Sequence, residues 1–123
     1  MTNSHQICID ANCFSVVLAQ NILKKALGLM FRKNLAENTG MLFANKRERH
    51  SPIWMVFMLF PLDIVWVNAE NKIVCIVQSA KPGFRIYAGE PAKYVLELPA
   101  GTCDKFNITP GKFAILKQHE PER

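Results

Sequence analysis

The chain has 123 residues and a formal net charge of +5 at pH 7; 50% of its residues are hydrophobic and 20% are charged. This hydrophobic fraction excludes a disordered chain. The length is that of one domain, which we expect to occupy residues 1–123, with its core at residues 7–116 and a polar tail at residues 117–123. The longest apolar run, residues 53–67, is broken by a proline and an aspartate and is shorter than the roughly 20 residues of a membrane-spanning helix. We therefore expect no membrane contact.

The first predicted elements are two strands followed by a helix. Residues 7–10 and 13–19 are short apolar runs separated by Ala11-Asn12, a pattern typical of a β-hairpin. From Asn21 the apolar residues recur at helical spacing, and Gly28 predicts the end of one short amphipathic helix. The apolar side of this helix consists of Ile22, Leu23, Ala26, Leu27 and Met30.

The middle of the chain predicts the core strands. Residues 40–44 form a short apolar run, and residues 53–60 and 62–67 are apolar on both faces, as in strands that are covered on two sides. The polar cluster at residues 68–71 predicts a turn that leads from residues 62–67 into a strand at residues 72–79. These strands indicate a sandwich or a barrel.

A long connection and three short elements complete the chain. Residues 80–92 contain two prolines and two glycines, so we expect a loop there, and long ordered loops often carry function. Residues 93–98 and 112–116 predict strands, and residues 101–107 predict a helical turn. The fold class we expect is mainly β: a compact β-sandwich or barrel of jelly-roll-like character, with one short amphipathic helix and one helical turn.

Cysteine and histidine spacing gives no sign of a metal centre or a cofactor. The four cysteines form no CxxC pair, and the three histidines are far apart in the sequence. Because residues 1–6 are polar and do not resemble the start of a secretory signal, we expect a cytoplasmic location. We accordingly expect reduced thiols with no disulfide, no metal and no cofactor.

Five short motifs occur in an order that resembles a known family. They are Gly28-Leu29-Met30-Phe31-Arg32, Gly40-Met41-Leu42-Phe43, Trp54-Met55, Pro61-Leu62-Asp63-Ile64 and Val95-Leu96-Glu97-Leu98-Pro99-Ala100-Gly101. Together they resemble the domain-of-unknown-function family 192, a set of small uncharacterised proteins in bacteria and archaea. The resemblance implies a compact, mainly β fold and no established activity. Many members follow Trp-Met with Lys-Asn-Thr, whereas this chain has Val56-Phe57-Met58, so chemistry that rests on that lysine and asparagine is absent.

Asp63 is the first candidate site residue, because a carboxylate within an apolar run requires a partner. One interpretation is a polar pocket that binds a small molecule or a protein partner beside the loop at residues 80–92. The other interpretation is structural, either an ion pair or a bond from the side chain to the backbone near Pro61. The residues we expect to line the pocket are Arg32, Trp54, Asp63, Arg85 and Tyr87.

Glu97 offers an alternative function. It alternates with Lys93 and Val95 along one strand face, which favours an exposed carboxylate beside Lys93. If it instead points inward beside Asp63, the two carboxylates form the acid and base of a hydrolase. Such an enzyme is the first alternative to the binding domain.

Aromatic, thiol and basic residues complete the candidates. Trp54 and Trp66 lie in the most apolar region, which favours core positions over platforms for a sugar or a base. Cys103 lies near a predicted helical amino terminus, where a lowered pKa would make it a nucleophile, although no histidine has a suitable spacing. The basic segment at residues 46–49 suggests weak electrostatic binding of nucleic acid as a second alternative, which the absence of a nucleic-acid motif disfavours.

Overall fold

A computed structural model describes residues 5–19, 37–56 and 58–118 of the chain. The amphipathic helix predicted from Asn21 lies outside these residues. The described part contains strands and one helical turn. In chain order these are β1 (His5–Ile9), β2 (Asn12–Ala19), β3 (Thr39–Arg49), β4 (Ile53–Trp54), β5 (Leu62–Val67), β6 (Ile73–Ala80), β7 (Ile86–Tyr87), β8 (Ala92–Pro99), α1 (Thr102–Lys105) and β9 (Ala114–Gln118).

The predicted β-hairpin opens the fold. β1 and β2 pair antiparallel with Ile9 opposite Asn12, and Asp10 has the left-handed conformation, φ 55°, that suits a tight two-residue turn. The same register sets Cys8 opposite Cys13, and these two residues form a disulfide with their Cα atoms 4.0 Å apart. The expectation of reduced thiols was wrong for this pair, because strand register rather than a CxxC spacing brings the sulfurs together.

Seven of the strands form one sheet in the order β6-β5-β8-β3-β2-β1-β9. β2 and β3 are parallel, and the other neighbours are antiparallel. The sheet curls until its two edge strands meet. Lys72 bridges to Phe113, and the Ile73 N–H donates to the Lys112 carbonyl at 2.8 Å. The result is a partly closed barrel, which confirms the mainly β, compact fold expected from the sequence.

Two hydrophobic clusters lie on opposite faces of this sheet. The first fills the barrel interior and draws on opposite walls and on α1: Ile7, Ile9, Phe14, Val16, Leu42, Val65, Val67, Ile73, Leu96, Leu98, Cys103, Ile108 and Ala114. The second lies on the outer face: Met41, Ile53, Met55, Met58, Phe60, Leu62, Ile64, Trp66, Ala80, Ala92 and Val95. β5 contributes to both clusters by alternation, which explains why its residues are buried at every position.

β4 and β7 form a separate two-stranded sheet, here called the ribbon, which covers part of the second cluster. Ile53 pairs with Tyr87, and both pack toward that cluster. Trp66 holds the segments that flank the ribbon, because its indole N–H donates to the Ser51 carbonyl at 2.8 Å and its ring packs on Gly89. The predicted loop at residues 80–92 therefore contains a short strand. Within the described ranges, no helix is both long and apolar enough to cross a membrane.

We expect Gly89→Ala to lower the free energy of unfolding by about 1–3 kcal/mol. A Cβ at this position would lie 2.6 Å from the Trp66 ring, so the indole would have to shift within a packed core. Urea denaturation measures the effect, and Ala88→Ser at the exposed neighbour is the matched control, with a change below about 0.5 kcal/mol. Equal stability of Gly89→Ala and the parent chain would contradict this account of the contact.

Candidate functional site

Asp63 lies in the barrel interior and is fully buried. It pairs with Leu98 across β5 and β8, on the face of the first cluster. One carboxylate oxygen accepts the Ser79 N–H and the other accepts the Cys103 N–H, each at 2.9 Å. Ser79 lies where β6 slips in register against β5 and has φ 53°, so its N–H is free to turn toward the carboxylate. Asp63 thus joins β5 to a bulge in β6 and to α1.

This bonding supports a structural role for Asp63 and removes it from the proposed pocket. Both of its oxygens are engaged by backbone donors, and the side chain has no exposed area. The sequence suggested a bond to the backbone near Pro61, whereas the donors come from residues 16 and 40 positions further along the chain. Only the tertiary contacts of β6 and α1 bring those donors to this point.

Glu97 is buried rather than exposed, with a relative accessibility of 1%. The expectation of an exposed carboxylate beside Lys93 was wrong because β8 is covered on both faces. Glu97 pairs with Met41 on one side and with Ile64 on the other, and both of those residues belong to the second cluster. Asp63 and Glu97 therefore project from opposite faces of the sheet, and the acid and base pair of the hydrolase hypothesis is not formed.

The outer side of the ribbon exposes large apolar side chains. Trp54 and Ile86 are cross-strand partners with relative accessibilities of 48% and 61%, and Phe84 reaches 84%. The Trp54 indole N–H donates to the Phe84 carbonyl at 3.2 Å, which fixes the indole against the neighbouring segment. We call Trp54, Phe84 and Ile86 the ribbon face. The expectation that Trp54 is a core residue was wrong, whereas Trp66 is fully buried as expected.

Two further predicted site residues flank the ribbon face. The Tyr87 hydroxyl accepts the Lys81 N–H at 3.0 Å, and the Arg85 guanidinium lies over the Tyr87 ring, 5.1 Å from its centroid. The fold therefore brings Arg85 and Tyr87 into contact and places Trp54 on the neighbouring strand of the ribbon, whereas Asp63 belongs to the face of the first cluster. Arg32 lies outside the described residues.

The exposure of Phe84 and Ile86 was not predicted from the sequence, although the alternation of buried and exposed residues in the ribbon indicates it for Ile86. Trp54 follows the buried Ile53, and Ile86 precedes the half-buried Tyr87, so each strand of the ribbon alternates between an inward and an outward residue. A two-residue strand is too short for this alternation to be recognised without its partner.

Cys103 is buried in the first cluster beside the Asp63 carboxylate. Burial, followed by the negative charge of Asp63, raises the pKa of the Cys103 thiol to about 12. The thiol is therefore protonated at neutral pH, and the nucleophile considered from the sequence is not supported.

A shallow pocket of about 210 Å³ lies beside α1. Its lining includes the segment 99–101, together with Glu37 and Lys105, which form an exposed ion pair. The hydrogen bond from Lys105 and its positive charge lower the pKa of Glu37. The two charges neutralise each other, and the Thr102 hydroxyl donates to the Pro99 carbonyl at 2.7 Å. These polar groups already have partners, so we place the candidate site at the ribbon face.

The family model DUF192, described as "Uncharacterized ACR, COG1430", matches residues 5–114. The chain belongs to this family. Among curated members, it is 34% identical over 97 residues to a UPF0127 protein of Pyrococcus furiosus, a match that covers 78% of this chain and 81% of the relative. It is 28% identical over 97 residues to a UPF0127 protein of Thermococcus kodakarensis, covering 78% of this chain and 60% of that relative. The chain thus spans less than two thirds of the length of the Thermococcus relative.

Two solved structures share the fold of this DUF192 member. One is a protein of Sinorhizobium meliloti 1021, provisionally described as a transcription regulator, with a TM-score of 0.82, 28% identity and 96% coverage of each chain. The other is a protein of unknown function from Novosphingobium aromaticivorans, with a TM-score of 0.82, 27% identity, and coverage of 89% of this chain and 83% of that one. Family membership therefore establishes the fold without assigning an activity.

We expect Asp63→Asn to lower the free energy of unfolding by about 2–4 kcal/mol. The amide would replace one acceptor oxygen with an NH₂ donor that faces a backbone N–H and leaves it unsatisfied. Urea denaturation measures the loss. The control is Asp104→Asn, whose carboxylate accepts only an exposed hydrogen bond from Gln78 and should change stability by less than about 1 kcal/mol. Equal effects of the two substitutions would refute the structural role of Asp63.

The raised pKa of Cys103 also predicts a loss of stability at alkaline pH. The unfolded chain releases the thiol proton near the ordinary pKa of 9.0, whereas the folded chain retains it up to about 12. The unfolded chain therefore binds fewer protons between these values, so the contribution of Cys103 is complete below pH 9 and declines as the pH rises toward 12. Urea denaturation at pH 8 and pH 10.5 should show a smaller decline in Cys103→Ala than in the parent. Identical declines would show that Cys103 is not the cause.

Proposed function

We propose that this chain is a binding domain whose ligand or partner contacts the ribbon face. The observation that carries the proposal is the exposure of Trp54 and Ile86 as cross-strand partners, together with Phe84 on the adjoining segment. Contiguous exposed apolar side chains mark interaction sites more often than isolated ones do. Trp is also enriched among the residues that contribute most to binding.

The construction of the ribbon supports this role. Its inner residues pack on the second cluster, and Trp66 ties down the segments that flank it. The Trp54 indole is held by its bond to Phe84, so its orientation is set before any ligand arrives. Such preorganisation lowers the entropy cost of binding.

Exposed basic side chains lie on the segments that lead into the two strands of the ribbon. Lys81 and Arg85 are exposed on the segment that carries Phe84, and Arg49 and His50 are exposed just before β4. The segment at residues 80–92 carries one acidic residue, the exposed Glu90, against the two basic residues Lys81 and Arg85. The charge favours a ligand with negative groups beside an apolar or planar part. The regulatory description of the Sinorhizobium meliloti relative makes nucleic acid one class to include among the ligands tested.

The compartment remains a separate question. The cytoplasmic location expected from the sequence stays a prediction, and the Cys8–Cys13 disulfide favours an oxidising environment. The disulfide lies in the β1–β2 hairpin, which belongs to the seven-stranded sheet and not to the ribbon.

A ligand screen with tryptophan fluorescence tests the binding proposal. The chain has two tryptophans, and since Trp66 is fully buried, a ligand at the ribbon face should quench Trp54 selectively. The panel contains acidic apolar peptides, oligosaccharides, nucleotides and oligonucleotides. We expect one class to quench the emission and to raise the melting temperature, since a ligand at 100 times its Kd adds about 2.7 kcal/mol of stability.

Variants locate the binding surface in this screen. Phe84→Ala and Ile86→Ala should weaken binding about tenfold each. The matched control, Ile115→Ala, removes an exposed apolar side chain from β9, which belongs to the seven-stranded sheet and not to the ribbon, and should leave binding unchanged. The proposal fails if no class binds, or if the ligand binds the Phe84 and Ile86 variants as tightly as the parent.

A further inference from the structure

We propose that the ligand of the ribbon face is single-stranded nucleic acid. This inference rests on the proposed function of that face and adds the chemistry of the ligand. In the bound state Trp54 and Phe84 stack against bases, while basic side chains of the neighbouring segments contact phosphates.

The aromatic part of the ribbon face supplies the stacking surface. Trp54 and Phe84 are joined by the bond from the indole N–H to the Phe84 carbonyl, so the two rings belong to neighbouring segments of one rigid element. Both rings are substantially exposed, at 48% and 84%. Exposed aromatic rings bind unpaired bases of any sequence, because every base has a flat π-face.

A basic segment precedes Trp54 by a few residues in the sequence. The register of β3 against β8 passes from Ala44 opposite Tyr94 to Arg49 opposite Ala92, so residues 45–48 bulge out of the sheet. Lys46, Arg47 and Arg49 are exposed on this segment. Arg49 and Trp54 are five positions apart in the sequence, which limits the distance between their Cα atoms to about 18 Å. A few nucleotides of extended strand can span that distance.

Glu48 is the acidic residue within this basic segment, and its carboxylate is engaged in a hydrogen bond. The Glu48 carboxylate accepts the Ala69 N–H at 2.7 Å, which directs it toward the turn between β5 and β6. The Lys46 carbonyl accepts a hydrogen bond from the Lys93 ammonium at 3.1 Å, which adds a further cation beside the bulge. Lys81 and Arg85 are exposed on the segment that carries Phe84, and both contact Tyr87, the residue next to Ile86 of the ribbon face.

Exposed aromatic rings on segments that also carry exposed cations fit a single strand better than a duplex or a folded protein partner. A duplex keeps its bases stacked on one another, so it offers no free base to Trp54 and Phe84. A folded protein partner of ordinary interface size buries about 800 Å² per side, whereas three side chains of this kind provide roughly half that area. A strand of phosphates and unpaired bases matches both the charge and the small apolar area.

Fluorescence anisotropy with a 5′-labelled 12-mer of thymidylate tests the inference. The label reports binding in variants that lack Trp54, and duplex DNA of the same length is the comparison. We expect the parent chain to bind the single strand at 50 mM salt, at least tenfold more tightly than the duplex. For three phosphate contacts, affinity should fall about 20-fold between 50 and 200 mM salt.

Substitutions distinguish the contribution of base stacking to affinity from the contribution of phosphate contacts. Trp54→Ala and Phe84→Ala should each weaken binding about tenfold without changing the salt dependence, whereas Arg47→Ala should reduce the salt dependence. Lys117→Ala, an exposed cation on β9, and Ile115→Ala are the matched controls and should change neither quantity.

Three results would overturn the inference: no binding at 50 mM salt, equal affinity for the duplex, or full affinity in Trp54→Ala. If an acidic apolar peptide quenches Trp54 while oligonucleotides do not bind, single-stranded nucleic acid is refuted and the binding function of the ribbon face is retained. If no ligand class of the panel acts at Trp54, both proposals fail.

Discussion

The carboxylate of Asp63 is the polar contact on which the interior of this fold depends. Inside a barrel filled with aliphatic side chains, it satisfies two backbone N–H groups that strand pairing cannot reach, one at the bulge in β6 and one in α1. It therefore connects β5, β6 and α1 at a point where an apolar side chain could not satisfy these two N–H groups. Burial, and after it the negative charge of Asp63, also raises the pKa of the neighbouring Cys103 thiol, which is therefore protonated at neutral pH.

The second constraint is that β5 and β8 are covered on both faces. Asp63 and Glu97 lie on these two strands, and the alternation of side chains sends them to opposite sides. The two carboxylates come from neighbouring pairs of β5 and β8 but lie on opposite faces of the sheet. The acid and base pair of the hydrolase hypothesis therefore does not form. The outer cluster also needs a cover, and the ribbon of β4 and β7 supplies part of it.

The two sides of the ribbon meet different surroundings. Ile53 and Tyr87 serve the core, so their neighbours Trp54 and Ile86 must point outward. The outward residues are apolar and aromatic, although nothing in the folding of the core requires this. Their exposure beside Lys81 and Arg85 is the feature that the binding proposals explain.

The sequence by itself determined the fold class, the hairpin at the start, the doubly buried strand at residues 62–67 and membership of DUF192, because these depend on local periodicity and on motif order. It also identified Trp54, Arg85 and Tyr87 as candidate residues. The tertiary structure decided which donors satisfy Asp63, on which face Glu97 lies, that Trp54 is exposed and that Cys8 meets Cys13. Each of these depends on strand register or on contacts between distant segments, and a one-residue change of register reverses the face of every side chain.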